Sequence, residues 1–163
     1  MQNNDIGRAA VRRLLKRWGS ATQTCRHKQE EIARINSLID GTYDLHAQQL
    51  TGMPHGSGVS DPTAFTAAKA DRMREAYQRR ITDIVDDIAE LMDFCTAIDQ
   101  LLDDLPADQR RIIDLRYRRF SGTQYNLWVR VARLAGVSED WAKSLERRAV
   151  DALAEKIDIK ILE

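Results

Sequence analysis

Apolar side chains recur through the middle of the chain at Tyr77, Ile81, Ile84, Ile88, Leu91, Cys95, Ile98, Leu102 and Leu105, in alternating steps of four and three. That spacing is a heptad seam on one helix. Asp, Glu and Gln fill half of the positions between, and neither Gly nor Pro interrupts the run before Pro106. A matching seam lies upstream at Val11, Leu14, Trp18, Ala21, Cys25, Lys28, Ile32, Ile35 and Ile39. Each seam extends over 28 residue steps, roughly 40 Å of helix. Equal lengths and an intervening loop predict a long antiparallel helical hairpin, coiled-coil-like, with Ile39 beside Tyr77 and Val11 beside Leu105. Lys28 stands on the seam, where its amine needs solvent or an acid on the facing helix. Gly19 costs its helix about 1 kcal/mol against Ala and marks an expected kink or break.

The loop between the seams reads "LTGMPHGSGVSDPT", Leu50 to Thr63. It gathers Ser, His and Asp, yet no enzymatic motif survives inspection. Gly56–Ser57–Gly58 lacks the G-x-S-x-G spacing and the preceding strand of a nucleophile elbow. A phosphate loop needs a Lys after its glycines, and none follows until Lys69. The stretch reads as a bend: Gly52, Gly56 and Gly58 let the chain turn, Pro54 stiffens it, and Asp61 caps a helix with Pro62 in first position.

After Leu105 the periodic segments shorten. Pro106 and Asp108 suit the start of a helix whose apolar side is Ile112, Ile113, Leu115 and Tyr117, ended by Ser121–Thr123. A second helix is predicted from about Tyr125 to Leu134, followed by the turn "AGVS". Gly136 supplies the permissive backbone of that turn, and Ser138 is a good N-cap for a last helix burying Ala142, Leu145, Ala149, Val150 and Leu153. Helix, glycine turn and capped helix together form a helix-turn-helix pattern. The tail "KIDIKILE" admits two readings: Ile157, Ile159 and Ile161 alternate like a strand, whereas Leu153, Ile157 and Ile161 continue a helix.

The fold class is therefore all-α. Residues 1–105 form the hairpin with its loop at 50–63, and residues 106–163 form the helix-turn-helix domain. A lone hairpin has one seam and little core, so a second copy completing a four-helix arrangement is expected, making the protein a homo-oligomer, in the simplest case a dimer.

Charge sharpens this picture. Equal numbers of acids and bases hide a segregation: eight Lys/Arg against four Asp/Glu in 1–40, two against eight in 77–104, and seven against two in 107–135. An acidic second helix can face a basic first one, and a basic C-terminal region can face an external anion. The run Arg8, Arg12, Arg13, Lys16 and Arg17 reads as a solvated or internally paired face. No stretch of about 18 apolar residues spans a membrane, and the first residues lack the apolar core of a signal peptide. Cys25 and Cys95, seventy residues apart, read as seam thiols in a cytoplasmic protein. His27, His46 and His55 share no ligand spacing, so no metal is assigned. No acid, base and nucleophile converge, which leaves no catalytic residue, no cofactor and no enzyme.

The strings "LPADQRRIIDLRY" and "VARLAGVSEDWAKSLERRAVDAL" resemble region 4 of bacterial sigma factors. Leu105–Pro106, Leu115–Arg116–Tyr117, Val131–Ala132, Gly136–Val137–Ser138, and Glu146 with Ala149 and Leu153 carry the likeness. With the hairpin and the loop "GMPHGSGVSDP", the whole chain resembles phage-encoded late-gene regulators of the ArpU/RinA kind. The resemblance implies a transcription regulator that acts in a bacterial host on double-stranded promoter DNA, on RNA polymerase, or on both. Its DNA-binding residues would be Arg130, Arg133, Ser138, Glu139, Asp140, Lys143, Ser144, Arg147 and Arg148. Glu139 and Asp140 depart from the pattern, since a cation is common there in sigma factors. Two carboxylates oppose the phosphate field and accept hydrogen bonds only from base amines such as cytosine N4. A DNA-packaging adaptor of the small-terminase type, or a helical protein-interaction module, would use the same architecture.

Overall fold

The computed structural model describes residues 2–49, 62–121 and 125–157, with side chains over 7–41, 68–121 and 125–157. Among them every regular element is helical: α1 (Gln2–Gln49), α2 (Pro62–Asp103), α3 (Ala107–Ile113), α4 (Leu127–Ala135) and α5 (Glu139–Lys156). The fold is all-α, as the periodicities require. The stretch from Leu50 to Asp61, expected above to be a bend, the 122–124 segment and the tail beyond Ile157 lie outside the described residues.

The chain packs as two compact units, one of Met1–Thr24 with Leu91–Glu163 and the other of Cys25–Glu90. Packing therefore does not divide at residue 105. In the first unit Val11, Leu15 and Trp18 of α1 share a core with Ile98 and Leu102 of α2, Leu105, Ile113, Tyr117, and Ala149, Val150 and Leu153 of α5. The physical reason is size: α3 and α4 have 7 and 9 residues, too few to be stable without packing against longer helices. Because α1 touches several elements here, its buried stripe widens beyond a heptad seam. Leu15, off the predicted seam, is 1% exposed, while Leu14 is only partly buried.

The second unit is the antiparallel hairpin. Lys28 pairs with Asp87, and Glu31 with Arg80 at 2.8 Å, so α2 recedes as α1 advances. Lys28 thus finds the acid its seam position calls for, and that bond holds the Asp87 carboxyl below its ordinary range. Ile35 and Ile84 are buried, whereas Ile32, Ile39, Ile81 and Ile88 are half-buried. One pair of helices covers only part of a heptad seam.

Two local features of the first unit differ from expectation. α1 runs unbroken through Gly19. A Cβ built there would lie 1.8 Å from the Tyr117 carbonyl oxygen and 2.4 Å from its carbon, so the glycine permits close backbone approach rather than a break. α3 also continues into a π segment, Asp114–Arg119, whose wider turns end with the Phe120 N–H donating to the Leu115 carbonyl at 3.0 Å. This segment brings the Tyr117 carbonyl against Gly19.

Candidate nucleic-acid interface

Local sequence builds the α4–turn–α5 corner. α4 ends at Gly136, which takes the left-handed conformation at φ 73°. The N–H groups of Gly136 and Val137 donate back to the carbonyls of Arg133 and Ala132, closing the helix end. Ser138 is extended, and its hydroxyl oxygen accepts the Trp141 N–H at 3.2 Å, satisfying one of the free donors of the first turn. Ile112, Leu115, Val131, Ala132, Ala142 and Leu145 form a small separate core beneath the corner, fixing α5 against α4.

The outer face of α5 is mixed in charge. The Asp140 side chain is wholly exposed, Glu139, Arg147 and Arg148 are exposed, and Lys143 and Ser144 are half-buried. Arg130 and Arg133 are exposed on α4. Lys143 Nζ lies 3.7 Å from Glu139 and 3.9 Å from Asp140, surface pairs of small energy. Both acids occupy the first turn of α5, where the helix dipole favours negative charge; that is a structural reason for carboxylates at the front of this face. Trp141 is 46% exposed, with the Arg148 guanidinium 5.2 Å from its ring centre. Arg147 forms no ion pair among the described residues.

Behind this face lies a network centred on Glu146, which is 3% exposed. Arg12 Nε and Nη2 donate to its two oxygens, both at 3.1 Å, and the Tyr117 hydroxyl donates at 2.8 Å. Arg116 stands 3.8 Å away and also covers the Trp128 ring at 4.3 Å. Burial, then the adjacent carboxylate, pushes the Tyr117 hydroxyl up to about 12. The hydrogen bond to Glu146 likewise raises the Arg12 guanidinium. One helical turn before Arg12, Arg8 makes a forked contact with Asp151. Arg8 and Arg12 thus clamp α1 onto α5, and Arg17 lies over the Phe94 ring at 4.4 Å. Much of the basic run is internally engaged. Sequence reasoning did not assign Glu146 this role, although a carboxylate inside the stripe Ala142–Leu145–Ala149–Val150–Leu153 is the available signal, because it demands a cation from elsewhere.

Residues 101–155 match the family model for Sigma-70, region 4. The C-terminal third of the chain is therefore similar to sigma region 4, and its α4–turn–α5 corner has the helix-turn-helix arrangement. No curated protein and no solved structure matches the chain. Within the matched span α5 is the helix that follows the Gly136 turn, and the Glu146 network joins its inner side to α1, outside that span. Among the described residues, no three His, Cys, Asp or Glu side chains converge to hold a metal ion, and no helix is long and apolar enough to cross a membrane.

Proposed function

We propose that this chain is a phage-encoded transcription regulator of the late-gene type, in which the region 4 domain docks on double-stranded promoter DNA and on host RNA polymerase. The observation that carries the DNA reading is the α4–α5 corner itself. Gly136 and Ser138 set a recognition helix whose exposed face holds Lys143, Ser144 and Arg147, with Arg130 and Arg133 beside it. Sigma region 4 domains bind DNA and RNA polymerase. In this reading Arg130, Arg133, Arg147 and Arg148 contact phosphates, and the Ser138 hydroxyl, whose oxygen is engaged as a cap, donates to one. Glu139, Asp140, Lys143 and Ser144 lie nearest the base edges, where the two acids select cytosine amines.

The test is binding to phage promoter fragments across a salt series. Four phosphate contacts give a slope of log affinity against log salt of about −3.6. No binding at about 50 mM salt overturns the reading. The hairpin completes its half-buried seam by pairing with a second copy. Ile32, Ile39, Ile81 and Ile88, together with Leu38 at 52% and Val85 at 48% exposure, support that role. Sedimentation at micromolar concentration giving the mass of one chain overturns it.

A further inference from the structure

Trp141 is a large apolar side chain that α5 turns away from its own core. Ala142 and Leu145 fill the small core beneath the corner without it, and the indole stands 46% exposed. Its backbone is fixed in the first turn, where the Trp141 N–H donates to the Ser138 hydroxyl oxygen at 3.2 Å. Residues three and four apart share a helix row, so Trp141, Ser144 and Arg148 lie along one strip of α5.

A single exposed ring would by itself assign nothing. Two further observations give this one a direction. The Arg148 guanidinium lies over the indole, 5.2 Å from its centroid, which restrains the ring on the strip and leaves its remaining surface open. The indole N–H has no acceptor among the described residues. The strip therefore presents a braced apolar body with one unused donor at its rim. Thymine alone among the bases carries a methyl group on its major-groove edge, and the O4 acceptor stands beside that methyl.

We propose that Trp141 reads a thymine in the major groove, its indole packed on the C5-methyl and its N–H directed to O4. This rests on the DNA-binding reading above and deepens it: the acids of the first turn select cytosine amines, and the ring next to them selects a methyl. Arg148 holds the ring while contacting the phosphate.

The experiment uses the full chain and fluorescence anisotropy at about 50 mM salt. One probe is a phage promoter fragment; the other is the same fragment with deoxyuridine at every thymine, which removes the methyls and leaves O4. The unaltered chain is expected to bind the deoxyuridine fragment several-fold more weakly. Trp141→Ala should bind the thymidine fragment several-fold more weakly than the unaltered chain and no longer distinguish the two. Trp141→Phe, which keeps a ring, should retain the preference. Circular dichroism checks that each variant keeps its helices, and binding of each to bacterial RNA polymerase is measured alongside. An unaltered chain that binds both fragments equally overturns the proposal alone. So does a Trp141→Ala chain with the full thymidine preference, because another residue then reads the methyl. A Trp141→Ala chain that binds the promoter unchanged and loses the polymerase overturns it too, and assigns the ring to a protein contact. An unaltered chain that binds neither fragment overturns the DNA reading and this proposal with it.

Discussion

Replacing Gly19 by Ala sets helix propensity against packing. Propensity alone favours Ala by about 1 kcal/mol in the middle of a helix. At Gly19, however, the new Cβ would stand 1.8 Å from the Tyr117 carbonyl oxygen, where real Cβ atoms essentially never approach within 3.0 Å. The obstacle is backbone, so no side-chain rotation relieves it. The π segment and α1 would have to separate by roughly 1 Å, disturbing Trp18 at 2% exposure and the 2.8 Å bond from Tyr117 to Glu146. Overpacking of a core commonly costs 1–3 kcal/mol, and a backbone obstacle belongs at the upper end, so the net effect of Gly19→Ala is a loss of about 2 kcal/mol. Gly41 lies in the same helix with nothing within 4 Å of its would-be Cβ. There the same substitution is expected to gain about 0.5–1 kcal/mol. Urea denaturation reads both. All three tryptophans, Trp18, Trp128 and Trp141, belong to the unit that holds the Gly19 contact, so their fluorescence follows it, while far-UV circular dichroism follows total helix. With a urea slope of about 2 kcal/mol per molar, the Gly19→Ala midpoint falls by about 1 M. A midpoint at or above that of the unaltered chain would refute the close-approach argument.

Arg12→Ala leaves the buried Glu146 carboxylate without its fork and is expected to cost about 3 kcal/mol. Adding Glu146→Gln to that variant removes the stranded charge and should recover part of the loss; equal midpoints for the single and double variants in urea would count against the network. Tyr117 holds its proton to about 12 in the folded chain against about 10 when unfolded. Its contribution, roughly 3 kcal/mol, is intact below pH 10 and lost as pH rises towards 12. Tyr117→Phe should lack that alkaline limb, and an identical pH profile for both proteins would exclude Tyr117 as its source. Ser138→Ala should cost about 1 kcal/mol through the lost cap, with Ser138→Asp close to neutral, as measured by thermal unfolding. Glu139→Gln with Asp140→Asn should tighten binding to a non-promoter duplex several-fold at about 50 mM salt by removing repulsion from phosphate. Weaker binding there would show that the carboxylates make favourable contacts.

The sequence by itself determined what depends on neighbours three or four residues apart. Both long helices, the all-α class, the Gly136 turn, the Ser138 cap and the buried stripe Ala142–Leu145–Ala149–Val150–Leu153 are local consequences of periodicity and backbone preference, and the chain bears them out. The facing acid for Lys28 was also legible, because a cation on an apolar seam has few places to go. Only the tertiary structure decided which distant groups meet. Gly19 has the same letter and local context whether it breaks a helix or admits a carbonyl; the difference lies in the π segment nearly a hundred residues later. Glu146 signals that a cation must come, but not that Arg12 brings it from α1 and Tyr117 adds a hydroxyl. That residues 91–105 pack with the C-terminal helices was likewise invisible, since a proline after a heptad seam marks where a helix ends and not which core its side chains enter. Local physics sets the elements, whereas the shared burial of α3, the π segment and α5 against the ends of α1 and α2 sets the first unit.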